Sequence, residues 1–233
     1  LGVIYFPFEF HVQLTPRLDH VDSGENQERS VKKIVATVGV FQATGGSDGS
    51  PANEDEIVTS TRLQTKDQFM INDTAFPIPI PAAGFSYSYW LTGYLKITGG
   101  TFTKINNIQL WSDGDVTWEF GTNGELRIGN RDAGDIGFTM DGEYEVATGV
   151  EGESGDEIEH ATNGHSFYSG QTVKTKNIED WVTGTKAVID SGDHTIAEMC
   201  KAFLLQTKVD TAANGAVQGE QADETIYLSY DEI

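Results

Sequence analysis

The 26 glycines of this 233-residue chain fall between short runs rich in Val, Ile, Thr, Tyr and Phe, and they follow no collagen-like period. Glycine weakens a helix interior and serves tight turns and bulges, so this punctuation favours an all-β class over a helical one. With 38% hydrophobic and 10% aromatic residues the chain carries enough apolar surface for a core. The length suits one large sandwich or two smaller units.

The clearest run is Ile4 to Leu14, where Phe6, Phe8, Phe10 and Val12 fall on one face and Glu9, His11 and Gln13 on the other. Strict alternation is the signature of a half-buried strand. Because this strand lies at the terminus, ahead of Pro16 and a polar stretch over 19–30, it is expected either to pair within the chain or to be donated to a neighbouring subunit. Residues 1–30 are accordingly read as a terminal strand and linker, and 31–233 as the sandwich.

Further strands are expected over 31–41, 59–71, 87–98, 102–112, 116–120, 125–128, 166–174, 181–190, 202–210 and 225–231, with Trp90, Leu91, Tyr94, Leu95, Ile97, Ile105, Ile108, Leu110, Trp111, Trp118 and Phe120 in the core. The segment FPIPIP over 76–81 lacks a donor at every second position and fits only a sheet edge or a polyproline-like crossing. A short helical turn capped by Thr195 is expected over 195–201, although the following AFLLQTKV suits a strand. Residues 130–164 are acidic and Gly-rich, and are expected to form a loop insertion with short strands around Phe138 and Tyr144. The reading is an antiparallel β-sandwich, jelly-roll-like, with long acidic Gly-rich loops.

Asp plus Glu number 36 against 15 Lys plus Arg, a net charge of −21. Such a surface repels nucleic acid and anionic lipid and favours cations, neutral molecules or copies of itself as partners; a high-salt habitat is a further source of such acidity. The single Cys200 excludes an internal disulfide, and no window approaches the apolar length of a membrane-spanning helix. Leu1 to Leu14 lacks a basic leader and contains Pro7, unlike an intact signal peptide, and a start without Met points to trimming or maturation.

Carboxylates on Gly-rich turns are the chemistry a hard cation needs. Candidate Ca2+ ligands are Asp113 and Asp115 in WSDGDVTW, Asp132 and Asp135 in NRDAGDIG, and Glu151, Glu153, Asp156 and Glu157 in VEGESGDEIE; none matches the EF-hand loop. His160, His165, His194, His11 and His20 show no zinc spacing. Glu157 and Glu159, two apart, would point to one face of a strand, the minimal requirement for glycoside hydrolysis. No nucleophile elbow, dinucleotide fingerprint or Walker loop is present, and no catalytic residue is assigned. Trp90, Trp111, Trp118, Trp181 and Tyr168 would serve a carbohydrate-binding platform if exposed. Asn72 opens a glycosylation sequon.

The stretch SYSYWLTGYLKITGGTFTKINNIQLWSDGD and the ending KAFLLQTKVDTAANGAVQGEQADETIYLSYDEI resemble uncharacterised structural proteins encoded by tailed phages and archaeal viruses. The shared features are an INNI strand before a WSDG turn, and an LQTKV strand before a Gly/Ala loop and a terminal TIYLSYDE. In design the chain is also similar to subunits of archaeal extracellular filaments and tubes, which are joined by a donated apolar strand and by calcium. Either resemblance implies a non-enzymatic, self-assembling structural protein, with a virion-surface location from the first and an extracellular one from the second; the filament likeness implies that Phe6, Phe8 and Phe10, with Val12 beside them, are the anchors of a donated strand.

Overall fold

The computed structural model describes residues 2–16, 35–69, 74–115, 117–131, 134, 136–171 and 175–233. Their strands are β1 (Val3–Pro16), β2 (Val35–Thr44), β3 (Asn53–Glu56), β4 (Ser60–Leu63), β5 (Ile78–Pro79), β6 (Ser86–Tyr87), β7 (Leu91–Thr101), β8 (Ile105–Ser112), β9 (Glu125–Ile128), β10 (Gly149–Val150), β11 (Ser154–Gly155), β12 (Lys176–Asn177), β13 (Ala187–Asp190), β14 (Met199–Val209), β15 (Gly219–Glu220) and β16 (Glu224–Glu232). They form two main sheets. The first runs β13-β8-β16-β1-β15, with β4 and β5 also on β1; the second runs β12-β9-β14-β7-β2-β3, with β6 on β14.

Pairing is antiparallel except at β1, which lies parallel to β16 from Phe8↔Glu224 to Pro16↔Glu232 and parallel to β15 at Ile4↔Gly219. The terminal strand is therefore seated inside the chain's own first sheet, with β4 and β5 antiparallel on its other side. Alternation places Ile4 and Phe6 fully in the core, where the Phe6 ring meets Phe120 and Trp118 edge-on at 5.0 and 5.8 Å. Phe10 packs on Phe203, whereas Val12 is 39% exposed at the far end. The FPIPIP segment is an edge, as its missing donors require: Ile78 and Ile80 point inward, and the Ile80 amide reaches Gly2.

The second sheet is buried on both faces, and this explains its sequence. One face, with Leu91, Leu95, Phe203 and Leu205, meets the first sheet across the main core. The other, with Tyr94, Ala202 and Leu204, is covered by residues 136–171, which bring Phe138, Met140, Tyr144, Ile158 and Tyr168 into a second core. Strands covered on both sides lose the in–out alternation, and LTGYLKI and AFLLQTKV are accordingly buried at nearly every position, Gln206 and Thr207 included. Much of the acidic tract expected over 130–164 is irregular backbone, and from residue 136 onward it packs on the second sheet as a cap. Phe138 makes only a single bridge, to Ala202, and Tyr144 lies in no strand, because irregular backbone here is held by side chains rather than by a ladder.

Other boundaries shift for similar reasons. β14 begins at Met199, inside the expected helical turn. Residues 117–120 form no strand beyond the bridge Phe120↔Ala216, and 166–171 are turns. The predicted core list is buried throughout, except that Trp118 is half-buried.

Candidate functional site

Among the described residues, three clusters bring chemically capable side chains together. The first centres on Arg127 of β9, whose side chain is only 5% exposed. Its guanidinium binds Glu157 at 2.7 Å, Glu159 at 2.9 Å and Glu125 at 3.3 Å. Glu157 and Glu159 lie in no strand, yet both carboxylates reach this guanidinium while Ile158 between them is buried in the second core. Burial opposes the arginine charge, and Glu159 and Glu157 more than offset it, holding its pKa above the ordinary value. Burial would raise Glu159, but two hydrogen bonds from Thr175 and the Arg127 charge pull it below the ordinary carboxylate range. The two carboxylates on one buried guanidinium fasten the cap to β9.

The second cluster clamps His194, with Nε2 at 3.0 Å from Asp190 and Nδ1 at 2.9 Å from Glu198. Hydrogen bonding to Asp190 leads the causes that raise the imidazole to about 11, and Asp190 in turn falls to about 2 as bonds from His194, Lys201 and Gly192 outweigh its burial. This is an imidazolium at neutral pH, so it cannot act as a base toward the neighbouring Cys200, whose thiol burial pushes upward. The cluster ties β13 to β14 through the Lys201 amide on Asp190.

The third is acidic. Asp113 accepts the Asp115 amide at 2.9 Å in an exposed turn after β8. Close by, Glu224 is 1% exposed, and its carboxylate accepts the Ser112 hydroxyl at 2.6 Å. Glu224 was not singled out by the sequence; the polar residue opening an otherwise apolar strand was the available signal.

The remaining calcium candidates scatter. Glu151 pairs with Lys66 at 3.0 Å, Glu153 is exposed on the β10–β11 turn, and Asp156 lines a cleft of about 390 Å3 with Asp48, Glu145 and Trp90. Asp132 and Asp135 lie outside the described residues, as do His20 and Asn72. Among the described residues no group of three or more His, Cys, Asp and Glu side chains is arranged to hold a metal ion.

The aromatic platform does not form from the expected residues. Trp90 and Trp111 are each 3% exposed and Tyr168 is fully buried, while Trp118 and Trp181 are half-buried. Trp111 is sandwiched between Tyr227, stacked at 5.4 Å, and the Lys186 ammonium at 3.8 Å, so neither ring face is open to a sugar. Among the described residues no helix is long and apolar enough to cross a membrane.

No protein-family model, curated protein or solved structure matches this chain.

Proposed function

We propose that this chain is a non-enzymatic structural subunit that assembles with copies of itself, at a virion surface, and that cations enable the assembly by screening its acidic exterior. The supporting observation is where the positive charges go. Arg62, Lys66, Lys96, Lys104, Arg127 and Lys208 each pair with a carboxylate of the same chain, and Arg131, Lys176 and Lys186 lie over Phe167, Trp181 and Trp111. With these cations engaged internally, copies meet through surfaces rich in carboxylate, and repulsion between them falls with ionic strength. The Arg127 and His194 clusters support the non-enzymatic part, because their candidate groups already serve the fold.

The virion setting rests on the strand and turn resemblances of 86–115 and 201–233. Assembly by strand donation, the filament alternative, draws less support, since β1 already has partners on both sides within the chain. Light scattering during a titration with calcium chloride, repeated with sodium chloride and reversed with a chelator, tests the reading. Reversible growth into regular particles is expected, and a monomer under every condition refutes it.

A further inference from the structure

The Glu224 carboxyl sits at the first residue of β16, where Phe8 of β1 is its register partner on one side and β8 supplies Ser112 on the other. Among the described residues the charged groups that act most on it are negative: Asp113 and Asp115 from the turn after β8, and Glu179 from the segment leading to β13. No ion pair reaches it among the described residues, and the Ser112 hydroxyl is itself fixed by the Gly114 amide at 2.9 Å. A buried carboxylate facing three others, with one hydroxyl for support, is strongly disfavoured, whereas the neutral acid fits the same space.

We propose that Glu224 is a protonated latch on the junction of β1, β8 and β16: the folded chain holds it as the neutral acid, and its ionisation loosens the seat of the terminal strand. The direction is consistent with the electrostatics, since burial, against the Ser112 hydrogen bond and reinforced by Asp113, Glu179 and Asp115, raises this carboxyl to about 8. The folded state then keeps a proton that the unfolded chain releases above its ordinary 4.5, so the latch weakens as pH rises from there to about 8 and is lost above. His194, raised to about 11, also makes stability fall with rising pH, and a comparison of variants cancels its contribution.

The test is denaturant unfolding of the full chain and of Glu224→Gln from about pH 5 to about pH 9, with amide exchange at Ser112 and Ile226 as the local readout. The wild-type folding constant is expected to fall relative to the variant by about tenfold per pH unit and to level off on the alkaline side. Protection of the two amides, taken relative to their intrinsic exchange rate at each pH, should fall with rising pH in the wild type and not in the variant. A wild-type to variant difference that is constant across pH, or junction exchange that follows pH equally in both proteins, overturns the latch. Should Glu224→Gln fail to fold, the 13C carboxyl titration of Glu224 in the wild type decides: a midpoint above neutrality supports the proposal, and one in the ordinary carboxylate range refutes it.

Discussion

Arg127 is the residue on which the cap depends electrostatically. Replacing it with Met leaves Glu157 and Glu159 without their counter-charge in a half-buried site, and breaking a buried pair by removing one partner costs about 3–5 kcal/mol. Urea unfolding of Arg127→Met should show that loss, and a change within ordinary surface scatter would mean the cluster is solvated. His165 sets a second sensitivity. It is fully buried among Trp90, Phe138 and Tyr168, and burial lowers its imidazole to about 4. The unfolded chain binds a proton below about 6.5 that the folded chain refuses until about 4, so the contribution of His165 to stability falls as pH drops through that window, by about 3 kcal/mol in all. Because Glu224 acts in the opposite direction over the same range, the readout is the difference between wild type and His165→Phe: it should shift in favour of the variant as pH falls from about 6.5 to about 4, and a difference that is constant with pH would contradict the assignment. At this scale the sequence was legible in proximity but not in role. The spacing of Glu157 and Glu159 suggested a shared face, yet their partner lies thirty residues away on β9, and no local pattern reveals it.

The cap over 136–171 is the element whose character was hardest to read. Its sequence carries no sustained helical or strand period, so its Gly and acidic content reads as loop, with Phe138 and Tyr144 as centres of short strands and Tyr168 as part of a later strand, and nothing local joins them with Ile158. What they share is the outer face of the second sheet, a non-local fact. The residue that pins the cap is Gln206 on β14, whose amide donates to the carbonyls of Asp156 and Ser88 and accepts the Ile158 amide. Gly155 fits because a Cβ there would lie 2.2 Å from the Ser88 carbonyl oxygen. Phe138→Ala should cost about 3–5 kcal/mol by denaturation. Gly155→Ala should lift the β10–β11 hairpin from the sheet, read as faster amide exchange at Asp156 and Ile158. By contrast β1, β2, β7, β8, β14 and β16 were legible, because long runs with regular or continuous apolar pattern leave few alternatives.

For the whole molecule, the decisive placement is that of the terminal strand. Its alternation was read correctly, but alternation cannot say whose sheet a strand joins, and the parallel pairing of β1 with β16 links residues more than two hundred apart. Since Phe6 fills the chain's own core, changing Phe6, Phe8 and Phe10 together to Ser should unfold the subunit, seen as loss of cooperative melting, rather than leave a folded monomer that cannot assemble. The same placement bears on the assembly proposed above: with β1 engaged, copies would have to meet through folded acidic surfaces, and their association would answer to ionic strength. The most direct test of this account is amide hydrogen exchange across β1 in the isolated monomer at low salt. Strong protection from Ile4 to Phe10, unchanged when calcium drives assembly, is the predicted result; rapid exchange in the monomer, with protection gained only on assembly, would contradict it and make β1 a strand that is given to a neighbour.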